Sequence, residues 1–171
     1  MRWLWIDRFL KFDSRKSART VKNLSLAEDC FADHFPGYPV MPACLILEGL
    51  AQTGGILVGE ANDFQEKVVL AKIISGRFRR EALAGEQLVY DVEMLHLRPE
   101  GASVGGKVYS VRPGAPIPDV LQDPFGEAEI IFAHLDKARS QQVFGERNFV
   151  FGGELKHMLG LAKVAAERGK S

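Results

Sequence analysis

His34 and Glu48 are the two residues of this chain whose types and spacing best suit proton transfer. An imidazole titrates near neutral pH and a carboxyl group can donate or accept a proton, so the pair can act as general base and general acid. Prolines at 36, 39 and 42 restrict the backbone between them, which predicts a stiff, extended loop after His34. The simpler alternative is that an arginine neutralises Glu48 and that His34 is an ordinary loop histidine. Both residues beside one rigid loop favour an acid–base site.

The run from Ala43 to Val58 predicts one long helix. Pro42 suits its first turn, because the N–H that proline lacks would have no partner there. The run is nearly all apolar, which predicts burial in a protein core, and it is too short and polar for a membrane span. Glu48 and Gln52 lie one helical turn apart and therefore share a face. That face is the candidate site.

The segment from His34 to Gln52 is similar to a known signature. It reads His-Phe-Pro-Gly-Tyr-Pro-Val-Met-Pro-Ala-Cys-Leu, followed by Glu48 and by Ala-Gln. This pattern resembles that of the hotdog-fold 3-hydroxyacyl-acyl carrier protein dehydratases of the FabZ type, and weaker similarity extends over about residues 5 to 135. Two departures stand out: Ala43 occupies a position where the family usually has Gly, and the segment from 112 to 126 is longer and richer in proline.

The resemblance implies an enzyme, a lyase that removes water from (3R)-hydroxyacyl thioesters on acyl carrier protein. The products would be trans-2-enoyl thioesters for fatty-acid or related lipid biosynthesis. His34 and Glu48 match the family's catalytic pair, with neutral His34 as base and Glu48, in apolar surroundings, as acid. The backbone amides of Ala43 and Cys44 are natural donors to the thioester oxygen at the helix start, and Gln52 would support the site. No cofactor is expected, and the sequence shows no metal motif.

The same resemblance implies an α+β hotdog fold, in which an antiparallel sheet wraps a long buried helix. Alternating apolar residues predict strands near 16–30, 67–80, 86–97, 103–112 and 127–135. We expect residues 1–135 to form the dehydratase-like domain. In the family the catalytic residues come from opposite subunits of a homodimer, and trimers of dimers are familiar.

Residues 136–171 are expected to be a C-terminal extension that packs on the same domain or on a neighbouring subunit. An amphipathic helix is predicted over Glu154–Arg168, with apolar residues at helical spacing: Leu155, Met158, Leu159, Ala162 and Ala166. The segment Pro113–Pro124 predicts a long hairpin excursion that shades the site or contacts another subunit.

Charge and composition limit the kinds of partner that the protein is expected to bind. With 22 basic and 22 acidic residues, the chain shows no general bias towards nucleic acid or membrane surfaces. A local basic cluster is a candidate dock for an acidic carrier protein, and ordinary solvated charges on an edge strand are the alternative: Lys72, Arg77, Arg79 and Arg80. The apolar start is interrupted at Asp7 and Arg8, so no signal-peptide core is recognised and a cytoplasmic location is expected.

Cys30 and Cys44 do not have metal-type spacing, and Cys44 is more simply a small buried apolar residue than a nucleophile beside His34.

Three other functions also fit the candidate site. A hotdog thioesterase would use the same helix start with a placed water, and a non-catalytic acyl-thioester binder would use the site without chemistry. Isomerisation of the enoyl product is a further possibility for the same proton-transferring pair.

Overall fold

A six-stranded antiparallel sheet and one long helix form the core of the protein, seen in a computed structural model that describes residues 3–135, 142 and 153–168. The strands are β1 (Arg8–Asp13), β2 (Ser17–Asn23), β3 (Lys67–Phe78), β4 (Gln87–Arg98), β5 (Gly101–Val111) and β6 (Gly126–Leu135). They lie in the order β1-β2-β4-β5-β6-β3. The helices are α1 (Cys30–Asp33), α2 (Ala43–Ala61) and α3 (Gly153–Arg168). The predicted α+β class is confirmed.

The sheet surrounds α2 because the helix is apolar on nearly every side. Leu50, Ile56 and Leu57 have no exposed surface, and a Cβ atom at Gly49 would collide with the Tyr90 ring, so glycine permits close approach to the sheet. Within the described part of the chain, α2 is the one helix that meets the length and apolarity of a membrane span, but 67% of its apolar window is buried in the protein. This burial identifies it as the core helix.

The sequence predicts most of the strands but not all of their ends. Four predicted strands are confirmed as β3 to β6, whereas the predicted strand over 16–30 ends at Asn23 and is followed by turns and the short helix α1. Strand β1 was missed. It has only six residues, and the adjacent Phe9 and Leu10 pack on opposite faces of the sheet, so its sequence lacks the alternation on which strand prediction depends.

Helix α3 packs on its own chain. It begins one residue before the predicted start, and Leu155 and Leu159 are buried in the main core. The helix lies against β1, and the Lys156 ammonium sits 4.5 Å above the centre of the Phe64 ring, just beyond α2. Residues 136–141, 143–152 and 169–171 and the Ala166 side chain lie outside the described residues. The domain boundary at 135 stays a prediction.

The proline-rich connection between β5 and β6 covers the outer face of the sheet. Ile117 and Leu121 pack on a small second core formed by Val21, Val89 and Tyr109. These three face away from α2, because side chains alternate along each strand and the neighbouring Leu88 and Tyr90 lie in the core around α2. The predicted excursion is therefore observed, but this part of it covers its own sheet rather than the candidate site.

Candidate active site

The loop after α1 sets the orientation of the His34 imidazole. Nδ1 lies 3.0 Å from the carbonyl oxygen of Val40, and the Val40 N–H donates to the His34 carbonyl at 2.9 Å. A carbonyl only accepts, so Nδ1 carries the hydrogen and the neutral ring keeps its lone pair on Nε2. The ring is half-buried and stacks on Phe35, with centres 4.2 Å apart. The imidazole is thus held in the tautomer that offers a base at Nε2.

The loop that carries His34 is fixed to the segment between β3 and β4. Val40 forms an isolated bridge with Leu83, and the Met41 N–H donates to the Ala82 carbonyl at 2.8 Å. Ahead of these anchors, the large apolar side chains of Phe35 and Tyr38 remain exposed. An anchored loop with an exposed apolar rim can position an imidazole next to an apolar substrate.

The start of α2 presents free backbone donors. Pro42 is the N-cap residue, and its carbonyl accepts the first bonds of the helix, from the N–H groups of Leu45 at 2.9 Å and Ile46 at 3.3 Å. The N–H groups of Ala43 and Cys44 lie ahead of these bonds at the positive end of the helix dipole. They can hydrogen-bond to an oxygen that gains negative charge.

The first turn of α2 is exposed, and this corrects two expectations. Cys44 is exposed rather than a buried apolar residue, and Ala43 is exposed as well. Burial begins with Ile46, because the sheet of this chain wraps the helix only beyond its first turn. The prediction that the whole helix is buried is therefore wrong for its first turn.

Glu48 is half-buried and bonded to Gln52. The Gln52 Nε2 donates to Glu48 Oε1 at 3.0 Å, which confirms that the two residues share a face. The partner of Glu48 is an amide, so the arginine alternative is wrong. The polar contact of the Glu48 carboxyl group in an otherwise apolar helix is thus the predicted neighbour on the same face. Among the described residues, no hydrogen bond or ion pair joins Glu48 to His34 of the same chain.

A buried lysine holds the segment that precedes α1. Lys22 Nζ lies 3.2 Å from Asp7 Oδ1 and 3.0 Å from Glu28 Oε1. Burial disfavours the charged ammonium group, but the hydrogen bonds and negative charges of Glu28 and Asp7 outweigh it, so the pKa of Lys22 is raised. This cluster ties the start of the chain to the turn that leads to His34.

The four basic residues of the predicted dock lie on or just after β3, at one edge of the sheet. Lys72 and Arg77 are exposed. Arg79 donates to the Pro124 carbonyl, which fixes it to the end of the proline-rich connection. The remaining member, Arg80, is engaged in a structural contact of its own.

Arg80 binds Glu86 through two hydrogen bonds, at 3.0 Å and 2.8 Å, and its guanidinium lies 4.4 Å from the centre of the Phe125 ring. Partial burial disfavours the charged form of Glu86, but hydrogen bonds from Arg80 and Ser110 outweigh this and lower the pKa of the carboxyl group. Much of the Arg80 charge is therefore neutralised within the chain.

Comparison with known proteins shows the family of this chain. The family described as a FabA-like domain matches residues 1–110, a span that includes the His34 loop and the whole of α2. The chain belongs to the FabA-like family. A 3-hydroxyacyl-acyl-carrier-protein dehydratase FabZ of Pelotomaculum thermopropionicum is 38% identical over 132 residues, which cover 77% of this chain and 87% of that protein. The FabZ of Symbiobacterium thermophilum is 40% identical over 138 residues, covering 80% and 89%.

Solved structures support the fold of this FabA-like chain. A hot-dog-like protein from Thermanaerovibrio acidaminovorans superposes with a TM-score of 0.58 at 15% identity, covering 80% of this chain and 96% of that one. At this identity the likeness concerns the fold alone. The predicted hotdog fold is confirmed.

Sequence reasoning missed the groups that hold the candidate residues of this FabA-like chain in place. These are the Val40 carbonyl at His34 and the backbone of Trp3 and Trp5 at Gln52. Backbone contacts leave no residue-type signal, and the tryptophans lie 47 and 49 positions from Gln52. Among the described residues, no group of three or more His, Cys, Asp or Glu side chains is arranged to hold a metal ion.

Proposed function

We propose that this chain is a 3-hydroxyacyl-acyl carrier protein dehydratase that converts (3R)-hydroxyacyl thioesters into trans-2-enoyl thioesters in fatty-acid or related lipid biosynthesis. The observation that carries the proposal is 38% identity with a FabZ dehydratase over most of both chains. The orientation of the His34 ring supports it, because a base at Nε2 is what the first proton transfer requires.

In the proposed reaction, His34 Nε2 removes a proton from the carbon beside the thioester carbonyl. Negative charge then develops on the thioester oxygen, where the N–H groups of Ala43 and Cys44 stabilise it. The backbone donor at position 43 is the same for Ala as for the Gly usual in the family, although the methyl group changes its surroundings.

Glu48 completes the proposed reaction as the acid. Its carboxyl group protonates the departing hydroxyl, so that water leaves as the carbon–carbon double bond forms. The imidazolium of His34 then loses its proton and Glu48 regains one, which restores the starting state. Gln52 supports Glu48 by donating to its Oε1.

A second copy of the chain is part of the proposal, because in the family the two residues that match His34 and Glu48 come from opposite subunits. Strand β3 supports this: it forms an edge of the sheet and leaves Leu70, Ile73 and Ile74 exposed. A long apolar edge strand is suited to pairing with another strand. This edge supports the proposed homodimer, whereas trimers of dimers and a cytoplasmic location stay predictions.

The function is tested by mass spectrometry of 3-hydroxyacyl carrier protein of several chain lengths after incubation with the purified protein. We expect loss of one water from the acyl group at one or more lengths, because the proposed pair can carry both proton transfers. A His34→Ala variant is the control and should leave the substrate unchanged. Release of free thiol would indicate a thioesterase, and an intact thioester at every length would indicate a binding protein.

We further propose that the carrier protein docks on the basic surface of Lys72, Arg77, Arg79 and Arg80. Lys72 and Arg77 are exposed and have no ion-pair partner among the described residues, so their charges contribute most. Charge reversal of both residues should lower kcat/KM for the carrier-bound substrate about tenfold, with a smaller effect at high salt.

Two controls separate docking from damage to the site. Because β3 is also the proposed dimer edge, the same variant should still process a short thioester without carrier protein at the normal rate, which shows that the shared site remains assembled. A Lys107→Glu variant, which reverses an exposed charge on β5, should leave carrier-bound turnover unchanged. Equal kcat/KM values for the wild-type chain and the Lys72/Arg77 variant would refute the docking surface.

A further inference from the structure

Gln52 connects the start of the chain to the proposed acid. Its side chain is buried, with 4% of the residue exposed. Oε1 accepts from the Trp5 N–H at 2.9 Å, and Nε2 lies 3.0 Å from both the Trp3 carbonyl and Glu48 Oε1. A primary amide has two hydrogens, so these contacts use both N–H groups and the oxygen. The amide of Gln52 is therefore held from two sides.

The backbone of residues 3–5 determines which way this amide faces. The Trp5 N–H only donates and the Trp3 carbonyl only accepts. A flipped Gln52 amide would place two donors together at Trp5 and two acceptors together at Trp3. The same flip would turn the amide oxygen towards the Glu48 carboxylate. The backbone thus keeps Nε2 directed at Glu48.

The segment is anchored by contacts that do not involve Glu48. Trp5 is 7% exposed and packs in the main core, and the Trp3 ring meets it edge to face with centres 5.6 Å apart. Two residues later, the Asp7 N–H donates to the Val21 carbonyl at 2.7 Å, and the Asp7 carboxylate accepts from the Asn23 N–H at 2.7 Å. Such an anchored segment can orient a neighbouring side chain.

We propose that Trp3 and Trp5 are positioning residues for the dehydration, which they influence through their backbone groups. They orient Gln52, and Gln52 holds Oε1 of Glu48, which leaves Oε2 as the oxygen that delivers the proton to the departing hydroxyl. The inference rests on the proposed dehydratase function. Because the acid acts in the chemical step, the segment should affect kcat more than KM.

Two substitutions at position 5 isolate the backbone donor. Trp5→Ala and Trp5→Pro both remove the indole, but only proline removes the N–H. We expect kcat of the proline variant to be about tenfold below that of the alanine variant, with KM within about twofold, because the carboxyl group is misplaced but the thioester site is intact. Equal kcat values would overturn the proposal.

The same pair in a Gln52→Met background tests the route through Gln52. Methionine has similar length but cannot link the segment to Glu48, so the two position-5 variants should now have equal kcat. A tenfold difference that persists in this background would mean that the backbone acts on turnover by another route, and it would refute the proposal.

Hydrogen exchange gives a readout that needs no catalysis and no proline variant. The Trp5 backbone amide should exchange about tenfold faster in Gln52→Met than in the wild-type protein, because its acceptor is lost. The Met41 amide, bonded to the Ala82 carbonyl, is the internal control and should not change. Unchanged protection of Trp5 would overturn the positioning role, whereas absence of water loss by the wild-type protein would instead refute the dehydratase function.

Discussion

Replacement of Glu48 with Gln should lower kcat for dehydration by about 10²–10⁴-fold, because a carboxamide cannot supply the proton that the departing hydroxyl needs. Glutamine has the same shape as glutamate, and its carbonyl oxygen can still accept from the Gln52 Nε2 that now bonds Oε1. The fold and the binding of the thioester should therefore persist. The rate is measured from the appearance of the enoyl thioester by ultraviolet absorbance, and binding by titration of the carrier-bound substrate.

Two further variants provide a comparison and a control for this prediction. His34→Ala should cause a loss of similar size, because it removes the base of the same reaction. Glu127→Gln, which neutralises an exposed carboxylate on β6, should leave kcat unchanged. If Glu48→Gln turned over at the wild-type rate, the assignment of Glu48 as the acid would be refuted.

Mixing the two inactive variants should restore activity. In a heterodimer of His34→Ala and Glu48→Gln chains, a site built from both subunits receives either two altered residues or two intact ones. One of the two sites is then complete. With random exchange of subunits, half of the dimers are mixed, so the mixture should recover about a quarter of the wild-type rate. The measurement is the rate after the two variants are unfolded and refolded together.

The mixture also distinguishes a shared site from a site within one chain. If His34 and Glu48 of the same chain worked together, both sites of the heterodimer would contain one altered residue, and the mixture would stay inactive. Refolding each variant alone is the control and should give no activity. Size-exclusion chromatography of each sample shows whether dimers have formed, so that loss of activity is not confused with loss of assembly.

The location of α2 illustrates what local patterns can predict. The apolar run predicted a helix over Ala43–Val58, and the structure confirms its start at Ala43; the helix ends three residues later, at Ala61, and Pro42 is its N-cap rather than part of its first turn. Strands β3 to β6 were likewise visible, because alternation along one segment reports which face of that segment is buried. The short strand β1 lacks this signal, because the adjacent Phe9 and Leu10 are packed on opposite faces of the sheet, and the strand was missed.

The contacts around the candidate site show what local patterns leave open. The motif predicted His34, Glu48 and Gln52, but neither the carbonyl that holds His34 nor the tryptophan backbone that holds Gln52 is marked by residue type. The prediction that Cys44 is buried was wrong, because an apolar run does not reveal where the sheet stops covering the helix. Arg80 looked like a free charge, but a carboxylate six positions away binds it.

The sequence by itself determined the family motif, the central helix and most of the sheet, because these depend on residue types and on their local periodicity. The tertiary structure alone decided which backbone groups orient Gln52, which face the proline-rich connection covers and where α3 packs. Those features join segments far apart in the chain. They depend on how the sheet wraps around α2, and no local sequence pattern encodes that packing.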